Sequence, residues 1–494
     1  MIGQVESPRA GLLGQVLHSA LLLSAVGYLS GFIAFPAKLI LIRQVGPAQY
    51  GLYALAGAVL QIVYLLGGWS FHLRIVASTP EPALEDTAYA LSVGLGASLL
   101  AGCLLVAPLV AHRFGAAVAW LVCGLSAIRL FNLAAYSYAA LLERELRYGP
   151  FAAVDALASL VSFVPALVAA RVNFGAWALV MREAAMVALS LAGYRWLAGR
   201  RLRLRAGRRE VNQLFHFGAP LALMQAAMTG FWSTDRLCLG LRADATAVGI
   251  YSQSRALADA LGTVMGPLVT QVALPAYAHS TRTSGPGPTS AVSSGDPLYA
   301  WFSFISVRVA LGIALPMALF PRLLVGWLLG NRWMEVAALL PAFAPYVVLL
   351  PMVENQRSHL LGTHQLRRLA LLSCVLGAAS AGAPLCMWLW PGVGPLALTT
   401  TAGLAVVWSA GQGLVHSRLN YRWLLGPPTI ATLAAVMVEH GLSGCGALTP
   451  GGVLAVVLAS YVGLLGIVEG RQIWRLLALA RGLPETSAEP RVGR

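Results

Sequence analysis

Residues 231–259 read FWSTDRLCLGLRADATAVGIYSQSRALAD, placing Asp235, Arg236, Arg255 and Asp259 in two stretches otherwise apolar enough to cross a membrane. Residues 35–57, FPAKLILIRQVGPAQYGLYALAG, have the same outline: an apolar run with one charge, a short loop holding an arginine, then glycine–aliphatic–tyrosine. The matched points are Gly51-Leu52-Tyr53 after Arg43 and Gly249-Ile250-Tyr251 after Arg242. A charge at the centre of a bilayer costs about 2.5–3.5 kcal/mol on the insertion scale, so a chain that keeps several uses them in a cavity or pairs them.

The 494 residues are 58% hydrophobic and 11% charged, with a mean hydropathy of +0.72. Soluble domains carry roughly 25% charged residues, which excludes that class. About fourteen apolar runs of bilayer-spanning length recur along the chain. They include runs near 16–42, 50–72, 151–171, 335–362 and 368–390. In lipid the backbone must satisfy its own polar groups, so the runs are read as helices and the fold as an all-α polytopic membrane protein. Their continuity argues against the alternating strands of a membrane barrel. Pro316, Pro321, Pro341, Pro345 and Pro351 make 320–362 the least regular part.

An even number of spans separates the two copies of the repeat, so they enter the membrane from the same side. Parallel repeats are one architecture of alternating-access transporters. The expected organisation is an N-terminal lobe of helices 1–6 (1–198), a basic cytoplasmic linker (199–213) and a C-terminal lobe of helices 7–12 (214–418). An extra helix pair 13–14 (419–475) and a polar cytoplasmic tail (476–494) follow.

The net charge of +15 follows topology. With the N-terminus in the cytoplasm, inward-facing ends hold roughly 22 Lys/Arg and outward loops about six. The densest cluster, RWLAGRRLRLRAGRRE (195–210), reads as a topology signal that also lies against anionic headgroups. No binding domain surrounds it, so nucleic acid is not an expected partner. The six cysteines include no CxxC and no Cys/His pair at ligand spacing, so neither a metal nor another cofactor is expected. The segment 276–300 reads as a flexible linker from its Gly, Pro and Ser content.

Among the intramembrane charges, Lys38 either snorkels to the headgroups or faces a cavity. Asp235 and Arg236 are adjacent and point apart on a helix, as do Arg182 and Glu183, so each needs a separate partner or water. Arg255 and Asp259, spaced i,i+4, form either a private pair or part of a site; Glu354 and Arg357, spaced i,i+3, read as a structural pair. Arg308 has no partner on its own span, and Arg129 is a further intramembrane cation. Cations outnumber acids, and arginine holds phosphate oxygens in a bidentate fork. Lys38, Arg129, Arg182, Arg236, Arg255 and Arg308 are therefore the candidate binding groups for an anion such as a phosphate or diphosphate. Tyr64, Trp69, Gln225 and Trp232 are candidate sugar contacts, or members of the interfacial aromatic belts. Asp235 and Asp259 are candidates for ion coupling or for trimming the arginine charge. Pro36, Pro267 and Pro275 permit bending of the repeat helices.

These residues carry a resemblance. The stretch 214–277, LFHFGAPLALMQAAMTGFWSTDRLCLGLRADATAVGIYSQSRALADALGTVMGPLVTQVALPAY, with VGPAQYGLYALAG earlier, resembles the multidrug/oligosaccharidyl-lipid/polysaccharide (MOP) exporter superfamily, and within it the Wzx-like polysaccharide flippases. The resemblance spans roughly residues 15–415. It implies a two-lobed bundle around a central cavity, with Lys38, Asp235, Arg236, Arg255 and Asp259 facing that cavity. It also implies a non-enzymatic flippase for undecaprenyl-diphosphate-linked oligosaccharide in the bacterial inner membrane, with both termini cytoplasmic. A polysaccharide polymerase and other assembly proteins would be its partners beside the lipid bilayer. Two alternatives share the fold: a cation-coupled multidrug antiporter, disfavoured by Lys38 and the lack of an acid in the first span, and a flippase for the peptidoglycan lipid precursor. A membrane glycosyltransferase or polymerase needs a large outward loop, which this chain lacks.

Overall fold

The computed structural model describes residues 29–64, 69, 71–145, 147–263, 273, 274, 276, 277, 290–363, 365–415, 421–445 and 449–480. These residues form helices and their connections, with no strand among them. Seven described helices are long and apolar enough to cross a membrane, or up to nine if each of two bent pairs is one span. Several large apolar side chains face outward, including Phe32 (79% exposed) and Leu105 (82%); on a multi-pass membrane protein such a surface meets lipid. The expected start of the first span, the interior of the 276–300 linker, and Pro267 and Pro275 lie outside the described residues.

α1 (Leu29–Val45) turns through 109° into α2 (Pro47–Val63). Gly46 makes the turn at φ 77°, in the left-handed region that glycine enters without a Cβ penalty. Pro47 begins α2, where its missing N–H has no partner to lose. The helix stops at Val63, and the short α3 (Phe71–Ala77) follows, so the run expected at 50–72 is not one continuous helix. α4 (Pro82–Phe114) and α5 (Ala116–Arg144) pack as a pair around Gly115, at φ 93°. A Cβ at Gly96 would meet Leu130 at 2.8 Å, which brings these two helices close.

Two further expected spans are helix pairs with a break: α6 (Tyr148–Val161) with α7 (Phe163–Arg171), and the pair α14–α15 below. α8 (Trp177–Ala198) ends at Gly199, φ 61°. α9 (Arg208–Gly240) and α10 (Ala245–Gly262) carry the opening stretch. The Asp244 carboxylate caps α10 by accepting from the Ala247 N–H at 3.0 Å.

α11 (Ser290–Leu319), α12 (Pro321–Leu328) and a 3-10 helix (Asn331–Ala338) lead at a 68° bend into α13 (Leu340–Gly362). The prolines divide their labour here. Pro321 and Pro341 sit at helix starts, whereas Pro345 and Pro351 lie inside α13. α14 (Leu366–Ala379), α15 (Gly382–Leu389), α16 (Val393–Val415), α17 (Tyr421–Cys445) and α18 (Pro450–Ala480) complete the chain.

α17 and α18 pack on α11 through Leu315, Ala431, Ala435, Val457 and Tyr461. The Tyr461 hydroxyl also donates to the Arg308 carbonyl at 2.9 Å. The main core centres on Tyr251, Trp333, Phe343 and Tyr346, all fully buried. The two copies of the repeat meet there, because α2 packs along α10.

Candidate functional site

Between the two copies lies a cavity of about 610 Å³. Its walls come from both halves of the chain, and three of the contributing helices supply a polar stripe. On α5, Arg129, Asn132 and Tyr136 recur at i, i+3, i+7; on α9, Gln225, Thr229, Trp232 and Arg236 recur at i, i+4, i+7, i+11. Tyr50, Tyr53, Gln61 and Tyr64 form the stripe along α2 and its end. This spacing is one face of a helix of 3.6 residues per turn. The rest of each helix faces lipid or core. Asn132, Tyr136 and Thr229 carry that periodic signal without having drawn notice as single residues, since only Arg129 stands out by charge.

The charges lining the cavity are Arg129, Arg236 and Glu183. Glu183 accepts a hydrogen bond from the Tyr53 hydroxyl, so the one carboxylate on the wall is already engaged. Two guanidiniums, one from each half, therefore set its sign. The Arg236 side chain makes no ion pair among the described residues, and its Nε is buried without a partner. An arginine in that condition is available to an anion entering the cavity. His72 stacks on Tyr136 with ring centroids 5.3 Å apart, and both line the wall.

Arg255 stands behind this wall. It is fully buried and bonds the Asp235 carboxylate, not Asp259, four residues along its own helix. Asp235 also accepts from the Tyr251 hydroxyl at 2.6 Å, and that hydroxyl lies 2.8 Å from Thr400 Oγ1. The Arg255 guanidinium lies 5.1 Å from the Trp232 ring centroid and 5.7 Å from that of Phe231, where ring faces offset part of its desolvation. Asp259 instead accepts from Tyr346 at 2.6 Å. The i,i+4 pairing is displaced because α9 presents a carboxylate to Arg255 and α13 a phenol to Asp259.

The remaining sequence candidates are dispersed. Arg308 pairs with Glu469 on α18 and stacks over Phe304 at 3.3 Å; the partner missing from its own span comes from the last helix. Arg182 lies over the Phe163 ring at 4.4 Å. Lys38 is exposed, within electrostatic reach of Arg182 and Asp259. Trp69 packs among Phe71 and Phe215, behind Phe71 of the cavity wall and not itself part of the lining. Tyr64, Gln225 and Trp232 are on the wall. Glu354 and Arg357 form their i,i+3 pair at 2.8 Å.

The sequence pattern of the polysaccharide biosynthesis protein family matches residues 40–338, which includes every helix contributing to this cavity. The chain belongs to that family. No curated protein matches it by sequence. Among solved structures, it is similar to the lipid II flippase MurJ in its inward closed conformation, with a TM-score of 0.71 and 10% identity over 92% of this chain and 100% of that one. It is also similar to an inward-facing multidrug resistance MATE family transporter of the MOP superfamily, with a TM-score of 0.61 and 15% identity over 80% of this chain and 97% of that one. Family and fold agree: a member of the polysaccharide biosynthesis family has the fold seen in these transporters. Its apolar helices make it a multi-pass membrane protein.

Proposed function

We propose that this protein moves undecaprenyl-diphosphate-linked oligosaccharide units from the inner to the outer leaflet of the bacterial inner membrane, for assembly of a surface polysaccharide. One observation carries the reading: the cavity between the halves is lined by Arg129 from one half and Arg236 from the other, while Glu183 is held by Tyr53. Two arginines lining one cavity suit the distributed charge of a diphosphate. The amides and hydroxyls of Gln61, Asn132, Gln225 and Thr229 match sugar hydroxyls, and Tyr64, Tyr136 and Trp232 offer ring faces for stacking. The volume is that of a small-molecule site. It suits the diphosphate and adjoining sugar, leaving the polyprenyl chain in lipid.

In this reading residues 1–198 and 214–418 are two lobes that rock about the cavity, 419–475 are an added helix pair, and both termini are cytoplasmic. Outward movement of the diphosphate is favoured by an inside-negative potential, by about 2.3 kcal/mol per charge per 100 mV. Asp235 and Asp259 serve the site indirectly, by holding Arg255 and Tyr346. A polymerase that consumes the flipped unit is the expected partner. The likeness to a lipid II flippase supports a second reading, in which the cargo is the peptidoglycan precursor with the same lipid diphosphate.

The test is mass spectrometry of polyprenyl-linked lipids in cells depleted of the protein and complemented with wild type, Arg129→Ala or Arg236→Ala. Wild type clears the accumulated lipid and restores surface polymer, whereas both variants leave a diphosphate-linked oligosaccharide whose sugars identify the cargo. Full export by both alanine variants, at normal protein abundance, overturns the cationic-cavity reading. Accumulation of the peptidoglycan precursor alone selects the second reading.

A further inference from the structure

The basic segment between α8 and α9 has no regular secondary structure, and it is fastened to the body of the protein along its length. The Leu202 N–H donates to the Tyr138 hydroxyl at 3.3 Å, the Arg203 N–H to the Asp86 carboxylate at 3.0 Å, and the Gly207 N–H to Thr87 Oγ1 at 3.2 Å. The Leu202 side chain is buried. Arg200 bonds Glu85, a carboxylate 1% exposed that also takes Arg144 at 2.8 Å. Three consecutive residues at the start of α4, Glu85, Asp86 and Thr87, thus hold the strap down.

This fastening has a consequence for the other arginines. Arg201, Arg203, Arg205, Arg208 and Arg209 are all exposed, and none forms an ion pair among the described residues. Glu210, the one acid nearby in sequence, turns back onto Gly207 at the start of α9. Five guanidiniums are therefore presented together, on a backbone that has already lost its freedom. Beside them stand two apolar groups with no cover: Leu204, 68% exposed, and Trp196, 81% exposed at the end of α8. A soluble acidic partner needs no Trp and Leu beside the charges. A bilayer interface does, because indole rings settle at headgroup level while arginines reach phosphates.

We infer that the strap 200–209 is a binding site for anionic phospholipid headgroups, with Arg201, Arg203, Arg205, Arg208 and Arg209 as phosphate ligands and Trp196 and Leu204 entering the acyl boundary. The site is separate from the cavity and does not rest on the identity of the cargo. Basic residues at such a surface contribute about 1 kcal/mol each, roughly fivefold in affinity.

The experiment uses the full-length protein purified in detergent and stripped of lipid. It is titrated with phosphatidylglycerol or phosphatidylcholine and followed by native mass spectrometry. Wild type binds phosphatidylglycerol in preference, and the variant R201Q/R203Q/R205Q loses that preference by about fivefold for each charge removed. The variant R201K/R203K/R205K retains most of it. Equal phosphatidylglycerol binding by wild type and the glutamine variant overturns the inference. Should the glutamine variant not accumulate, raising the salt on wild type must erase the preference; a preference indifferent to salt overturns it too. Capture of nucleic acid in place of phosphatidylglycerol by the wild-type protein has the same force.

Discussion

A Cβ on Gly51 would lie 1.7 Å from the Ala245 carbonyl oxygen, and one on Gly249 would lie 2.0 Å from that of Pro47, so these two glycines hold α2 and α10 in backbone contact. Each oxygen belongs to the residue four before the opposing glycine, so the contact is reciprocal, as a two-fold relation between repeat copies requires. Around it Trp333 Nε1 donates to the Ile42 carbonyl at 3.2 Å and Arg43 Nε to that of Leu328 at 2.9 Å. In the proposed orientation this is the outward end. Any side chain at Gly51 keeps the two helices apart. Gly51→Val should abolish transport and speed thiol labelling of an Ala245→Cys reporter from outside; unchanged labelling with normal export would show that the contact is not a gate.

Arg255 and the cavity arginines should fail in different ways. Arg255→Ala strands Asp235 in a buried site, a loss of about 3–5 kcal/mol when one partner of a buried pair is removed. The thermal midpoint in detergent should fall clearly for Arg255→Ala and recover in part when Asp235→Asn is added. Arg129→Ala and Arg236→Ala should leave the midpoint near wild type and remove transport.

The last two helices are fastened by charge as well as by packing. Arg308 holds Glu469 on α18, and Tyr461 reaches back to the Arg308 carbonyl. Glu469→Ala should make α17–α18 the first region cut in limited proteolysis. Arg308→Met/Glu469→Leu, which leaves no unpaired charge, should be more resistant than Glu469→Ala. A double-mutant cycle on the midpoint checks the coupling directly.

Glu85 is the anchor of the strap. Glu85→Ala removes the carboxylate shared by Arg144 and Arg200, so trypsin should cut between residues 200 and 209 much faster than in wild type, with the helices otherwise intact. Glu85→Gln should fall between the two. Equal cutting rates would mean that the backbone bonds to Asp86, Thr87 and Tyr138 suffice.

The sequence by itself determined the helical membrane class, because apolar runs of that length have no other way to satisfy their backbone. It determined the duplicated Gly-aliphatic-Tyr points, and through the superfamily pattern around Asp235–Tyr251 it indicated the transporter fold. Two sequence signals became contacts: the duplicated glycines Gly51 and Gly249, and the i,i+3 pair Glu354–Arg357. Tertiary structure alone decided the fate of each charge. Arg255 left its i,i+4 neighbour for Asp235, and Arg308 found Glu469 at the far end of the chain, whereas Arg129 and Arg236 line the cavity. The physical reason is that a charge in lipid must find a partner or water. Which of those lies within reach depends on how helices distant in sequence are brought together, and local spacing does not encode that.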